Sequence, residues 1–463
     1  MAISVALGLV PNYINHNQGD YVSIFKAYDI RGIYPEEFDE GIAKKIGNCF
    51  SQIVDGKNIL VSRDMRESSK PLLDALVEGI LETGKDVTDI GLASTPMMNF
   101  AVGKYGYDAG VQVTASHNPK EYNGFKTVGR ETIPIGFETG LNLVEEKVEK
   151  NQLIKSKDKG KRVGKNVLSE YINYVLSFKG EIKPMKVVID ASNGMAGYTL
   201  PSILEELPGE FVKLFFDMDG TFPNHESNPL VEKNLDTLRK VVIEEEANLG
   251  VIFDGDADRC CYVDELGNVI RPDLITGIIA EEVLVGKKGE KILIDVRTSW
   301  AVKELIEEIG CIPERVQVGH AYARRKLREV NAILGGELAG HYYFRENFYC
   351  DSGVIAFLYV LRTLSKKGKR MSELVKPLMK YPGTGEINFK TERKDEIIAS
   401  MQDKYADGKI SLLDGLTVEY EDWWFNLRKS NTEPYLRLNI EAKNTDVFEV
   451  KKKEVIERIE SML

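Results

Sequence analysis

Cysteine is scarce in this chain. Only Cys49, Cys260, Cys261, Cys311 and Cys350 occur among 463 residues. No pair has C-x-x-C spacing and the count is odd, so neither a thiolate metal site nor a redox pair is signalled. A reduced, cytoplasmic chain is the expectation. Cys260 and Cys261 open an apolar run and are expected to pack. An excess of positive charge is also missing: 61 Lys and Arg face 72 Asp and Glu, a net charge of −11. Broad binding to nucleic acid needs a basic footprint, so that class is excluded. An anionic ligand then requires arginines and lysines gathered locally in a cleft. Long apolar runs are lacking too. The N-terminal MAISVALGLV is too short to span a bilayer and carries no basic leader, so it is expected to be an extra arm or a first buried segment. No partner membrane is implied. Low-complexity stretches are absent.

What is present is an internal repeat. "NILVSRDMRESS" from Asn58, "KVVIDASNGMAG" from Lys186 and "KILIDVRTSWAV" from Lys291 share one form. Each is a short apolar run closed by a polar loop and followed by a helix-like segment, as buried parallel strands are. A second strand follows each, at "DVTDIGLASTP", "FVKLFFDMDG" and "RVQVGHAY". A third follows at "AGVQVTASHNP", "LGVIFDGDADR" and "AILGGELAGH". Strands alternating with helices predict α/β units with mixed, mainly parallel sheets. From about Lys376 the pattern changes. "GEINFK", "LTVEYEDWWFNLRKS" and "PYLRLNIEA" alternate apolar and polar residues, which predicts an antiparallel sheet with one wet face. An amphipathic helix closes the chain. The fold expected is three tandem similar α/β domains plus a smaller C-terminal α+β domain around a central cleft. The boundaries expected are 1–165, 166–268, 269–375 and 376–463.

Ligands of open parallel sheets bind at the carboxyl ends of the strands. The third strand of each unit ends in a distinctive loop. The first, "VTASHNPKEYNGFK", offers Ser116 as a nucleophile or phosphate carrier, with His117 and Lys126 as helpers. Taken alone, its Ser, Asn and Pro are also ordinary loop residues. The second places Asp254, Asp256 and Asp258 at alternate positions before Arg259. Three acids there repel one another unless something neutralises them, and hard oxygen donors suit Mg²⁺. The third, "GGELAGH", offers Glu337 and His341 to hydroxyl groups; a plain turn fits it equally well. His320 lies near another strand end. In the last domain "RKSNTEP" brings Arg428, Ser430, Asn431 and Thr432 together as a phosphate cradle.

Five motifs in this order, "AYDIRG", "TASHNP", "DGDADR", "GELAGH" and "RKSNTEP", span nearly the whole chain. In them the chain resembles the α-D-phosphohexomutases, the phosphomannomutase/phosphoglucomutase group. The resemblance implies a phosphoserine-bearing first domain, a metal-binding second, a sugar-recognition third and a phosphate-binding fourth. It implies that Ser116 carries a phosphoryl group and, with Asp254, Asp256 and Asp258, holds Mg²⁺. Phosphate then moves between C6 and C1 of a hexose through a 1,6-bisphosphate, glucose or mannose 1,6-bisphosphate acting as activator. Arg31, His117, Lys126 and Arg259 assist by the same resemblance. Tyr28 and Arg297 join Glu337 and His341 as cleft residues, the cradle takes the far phosphate, and His320 is the candidate base. The partner expected is a small hexose phosphate, with the protein a monomer or dimer.

One departure is local: the family's sugar loop usually carries serine where this chain has Ala339. "AYDIRG" and the asparagine of "SNTEP" favour mannose and glucose phosphates over glucosamine phosphate, leaving a phosphoglucosamine mutase as an alternative. A different class also has a motif. "LFFDMDGTF" is similar to the nucleophile stretch of haloacid-dehalogenase-type phosphatases, with Asp217 as nucleophile. That reading leaves "TASHNP" and "RKSNTEP" unexplained, and Asp219-Gly220 also reads as a turn.

Overall fold

The computed structural model describes residues 23–430 and 434–463. The apolar N-terminal stretch, Asn431 and Thr432 lie outside them. Four sheets follow one another along the chain, three of them mixed and the last antiparallel.

The repeat is topological as well as sequential. In the first sheet Asn58–Arg63 lies between Asp86–Leu92 and Ala109–Val113, parallel to both. Met185–Asp190 lies in the same way between Gly209–Leu214 and Leu249–Phe253. Lys291–Asp295 does so between Ile312–Val316 and Leu334–Gly336. In each unit the third strand then turns back into an antiparallel partner: Tyr122–Gly129, Cys260–Asp264 and Tyr342–Phe344. The distinctive loops are therefore hairpin connections, not strand-to-helix loops. Both ends of each loop are pinned by paired strands inside one sheet.

Alternation along the strands decides the packing, because successive side chains point to opposite faces. Ile59 and Val61 join the core beneath the helices Glu40–Ile53 and Ser69–Glu82. Leu60 faces the other way, into a core that runs on through the second and third units. The two helices touch closely. A Cβ on Gly47 would lie 2.1 Å from Leu76 O, and one on Gly79 would lie 2.0 Å from Lys44 O. Only glycine fits either place. The first three units thus share one continuous apolar core, while the fourth has its own.

In the fourth domain the strands run Ile387–Lys390, Tyr435–Ala442, Trp423–Lys429, Leu416–Glu419 and Lys409–Ser411 across the sheet. Leu416, Val418, Phe425, Leu427, Leu438 and Ile440 face the helices Lys394–Lys404 and Thr445–Glu460. The opposite face corrects the sequence reading. Trp424, Asn426, Arg428, Asn439 and Glu441 are buried, not wet. This face is turned toward the third unit, where Glu441 accepts from the Trp300 backbone N–H at 2.8 Å. Alternation alone cannot distinguish water from a neighbouring polar surface.

Candidate active site

The three hairpin loops converge. A Cβ on Gly255 would lie 2.4 Å from Ser116 O, so the serine loop and the acidic loop touch backbone to backbone. Arg259 and His341 form an antiparallel bridge that joins the acidic loop to the third. Ser116 is buried and holds φ 53°, a left-handed conformation unusual for a residue with a side chain. Such strain persists only when the surroundings fix it. Here the agent is Arg66. Its guanidinium donates to Ser116 O at 3.1 Å, Asn118 O at 2.6 Å, Pro119 O at 2.7 Å and Tyr122 O at 3.1 Å. Arg66 in turn faces Asp64 and lies over the Phe222 ring.

Ser116 Oγ donates to Asp254 Oδ2 at 3.2 Å and is 3.4 Å from His117 Nδ1. Burial, followed by the charges of Arg259, Arg31 and Lys126, drives His117 well below its ordinary value. The imidazole is therefore neutral near pH 7. Lys126 donates to Asp256 Oδ2 at 2.7 Å and Asp258 Oδ2 at 2.5 Å. Burial opposes its charge, but Asp256 and Asp258 outweigh burial and hold the ammonium protonated. Arg259 Nε donates to Asp254 Oδ2 at 2.8 Å. Burial and the like charges of Asp258 and Asp256 push Asp254 up to about 7. Arg31 donates to Asn118 Oδ1 at 2.5 Å and pairs with Asp29.

The donor set fits a hard divalent cation. Oxygens of Asp254, Asp256 and Asp258 lie within 4.8 Å of one another, and all three residues are buried. Among the described residues, Asp256 Oδ1 and Asp258 Oδ1 have no hydrogen-bond partner. Buried carboxylate oxygens are costly to leave unpaired, and a cation satisfies them. Arg31 Nε and Arg259 Nη2 are buried donors without an acceptor among the described residues, which phosphoryl oxygens would supply.

Across the cleft, Glu337 accepts from the Gly319 N–H at 2.7 Å and from Tyr343 at 2.7 Å. His341 Nδ1 lies 2.7 Å from Asp351 Oδ2 and 3.8 Å from Asp258 Oδ1. Burial opposes its protonation, but Asp258 and Asp351 raise its proton affinity. His320 stands against Tyr28 and His341 in the same pocket as Lys126. Burial, then Lys126 and His341, brings it down to about 4. Tyr28 donates to Val318 O at 3.0 Å. Arg297 is held by Asp295 and reaches Glu386 at 3.2 Å, and Arg428 reaches the same carboxylate at 2.9 Å. Ser430, two residues after Arg428, is buried.

Four contributors escaped the sequence reading: Thr95, which donates to Asp256 Oδ2 at 2.5 Å, and Arg66, Asp351 and Glu386. Asp217, the nucleophile of the phosphatase alternative, is exposed. Asp219 accepts from the Thr221 N–H within a turn. The glycine that follows is demanded by packing, since a Cβ on Gly220 would sit 2.6 Å from Arg66 Cα.

Known proteins resemble this chain along nearly its whole length. Models of phosphoglucomutase/phosphomannomutase α/β/α domains I, II and III match residues 22–155, 169–267 and 271–381. The model of the C-terminal domain matches 386–458. A phosphomannomutase of Methanocaldococcus jannaschii is 39% identical over 443 residues, covering 95% of this chain and 97% of that one. The phosphohexose mutases of Xanthomonas campestris are 38% identical over 424 residues, covering 90% and 95%. A crystal structure of a phosphoglucomutase/phosphomannomutase family protein from Burkholderia thailandensis superposes with a TM-score of 0.86. It is 33% identical, with 94% and 96% of the chains covered. With all four domain models matched in order and relatives alike over nearly its full length, the chain belongs to the phosphoglucomutase/phosphomannomutase family.

Proposed function

We propose that the protein is a phosphohexomutase, an isomerase that moves phosphate between C6 and C1 of mannose or glucose phosphate through Ser116. The observation that carries the reading is the Ser116–Asp254 contact inside the acidic cluster. The relatives' names favour the same class. The domain edges we adopt are 1–165, 166–268, 269–375 and 376–463.

In the forward half-reaction the Ser116 Oγ–phosphorus bond breaks as a sugar oxygen bonds to phosphorus, giving the 1,6-bisphosphate; the sugar hydroxyl gives up one proton and Ser116 Oγ takes up one to become the alcohol. After the sugar turns over, its other phosphate returns to Ser116. Phosphoryl transfer depends on in-line positioning and neutralised charge. Lys126, Arg31 and Arg259 neutralise oxygens of the moving group, and His117 supports Ser116. Mg²⁺ held by Ser116, Asp254, Asp256 and Asp258 supplies further positive charge there when bound. Glu337, His341 and Tyr28 bind sugar hydroxyls in either orientation. Arg297, Arg428, Ser430, Asn431 and Thr432 hold the far phosphate. The hydroxyl proton passes to an imidazole. The sequence favours His320; its depressed proton affinity favours His341, which Asp351 supports. Among the described residues no helix is long and apolar enough to cross a membrane, which suits a small anionic substrate met in solution.

The test is intact mass and peptide mapping after incubation with glucose 1,6-bisphosphate and Mg²⁺. One added phosphate on the Ser116 peptide is expected. Phosphate on Asp217, or release to water with no Ser116 label, overturns the assignment.

A further inference from the structure

The Val318 peptide is a junction. Its carbonyl accepts from Tyr28 of the first domain at 3.0 Å, and its N–H donates to Asp414 Oδ2 of the fourth at 2.9 Å. The next N–H, Gly319, donates to Glu337 Oε1 at 2.7 Å. Gly319 has φ +131°, and a Cβ there would lie 2.4 Å from Tyr28 Oη. The segment is thus seated tightly, with no side chain to give way. Asp414 is equally tied on its own side. Its carbonyl accepts from Asn426 on the strand that carries Arg428, at 2.9 Å. A Cβ on the following Gly415 would lie 2.6 Å from Arg428 Cα. One half-buried carboxylate therefore stands between the phosphate-binding strand and the peptide that holds Glu337.

We propose that Asp414 is a positioning residue that couples docking of the fourth domain to the Val318–Gly319 peptide, and through it to Glu337, so that the cleft stays shut while the bisphosphate turns over. The inference rests on the phosphohexomutase reading. The shared core reaches as far as Leu378, and from Phe389 onward the fourth domain packs around a core of its own. Its contacts to the third domain include several polar ones: Glu386 with Arg297, Glu419 with Arg315, Glu441 with Trp300 N–H and Asp414 with Val318 N–H; the Trp300 ring also stands against Trp424 and Tyr381. Interfaces between domains that rest largely on polar contacts permit relative motion. Among these contacts, Asp414 is the one whose acceptor meets the peptide adjoining the sugar-facing carboxylate. Losing it leaves the phosphate donors and the serine in place but loosens the link between them.

The experiment compares Asp414→Ala and Asp414→Asn in the full-length enzyme. Asparagine can still accept from the Val318 N–H; alanine cannot. With bisphosphate and Mg²⁺ saturating, Asp414→Ala is expected to raise KM for the hexose phosphate about tenfold, within the usual range of such couplings. Its kcat is expected to stay within about threefold. Without added activator it releases free bisphosphate during turnover. Asp414→Asn restores both properties. Unchanged KM and no release, a fall in kcat alone, or an asparagine variant as impaired as alanine each overturn the proposal. Hydrogen exchange in the wild-type enzyme gives a readout independent of folding in the variants. The amides of 317–320 should exchange more slowly with glucose 1,6-bisphosphate bound, and no slowing refutes the coupling. Ser116 labelling of the wild type is run alongside. Its failure removes the phosphohexomutase reading itself, whereas its success with unaltered Asp414→Ala kinetics removes only the latch.

Discussion

Ser116 and Asp254 lie 138 residues apart, in different sheets, and their side chains meet at 3.2 Å. The contact exists because two hairpin loops press together at Gly255, where no Cβ can fit. Ser116→Ala should therefore fold, bind hexose phosphate and take up no phosphate. Turnover should fall about a thousandfold or more, as when a nucleophile is removed. Coupled-assay kinetics together with calorimetric binding of the sugar phosphate check both halves. Full activity in the variant would end the phosphoserine assignment.

Asp256 receives bonds from both Thr95 and Lys126 while its Oδ1 has no partner among the described residues. Asp256→Asn should weaken metal binding by about tenfold or more, the scale typical of altered metal-site groups. Activity should require correspondingly more Mg²⁺. Chelator treatment of the wild type should abolish turnover, and added Mg²⁺ should restore it. A Mg²⁺ titration of rate separates these outcomes from a simple loss of fold.

Arg66 is buried against four backbone carbonyls and Asp64. Arg66→Met would leave Asp64 as a buried charge without its partner. Breaking such a pair costs about 3–5 kcal/mol. The denaturant midpoint of the variant should drop accordingly, and the Ser116 loop should lose its protection from hydrogen exchange. A stable variant with an unchanged loop would show that the strained serine needs no tether.

A pH dependence of stability follows from His225, whose Nε2 lies 3.0 Å from Asp190 Oδ2. Burial opposes its charge, but the Asp190 hydrogen bond and charge raise its proton affinity. A raised folded-state value means the added stability is fully present below the unfolded value and is lost as pH rises through the folded one. His225→Gln should thus melt below wild type by about 2 °C in acid solution. The gap should narrow as the pH rises through the folded-state value, which lies above the ordinary histidine range, because the wild-type imidazole then loses its charge. A gap that stays constant across the range would remove the ion pair as its cause.

The fold was legible because its signal repeats. Each unit shows the same three apolar runs, and strands so bounded have few other ways to bury both faces. Ser116, the three acids and Arg428 stood out because unusual polar residues cluster at strand ends. Arg66 was not legible, since its partners are carbonyl groups, which every residue has. Glu386 sits in "GEINFK" as one more alternating polar residue; its meaning comes from Arg297 and Arg428, far along the chain. The buried polar face of the last sheet was missed for the same reason, since a strand's pattern does not say what faces it. Asp351 belongs to no motif, and only the hairpin return brings it to His341.

Glu386 is a resident anion between two arginines. It already neutralises Arg297 and Arg428 before any ligand arrives. On the proposed function, a phosphate entering the cradle exchanges with a carboxylate instead of filling a bare positive hole. Exchange of like charges changes the local field less than simple addition does. Substrate affinity should accordingly fall less steeply with ionic strength than the number of arginines in the cradle suggests.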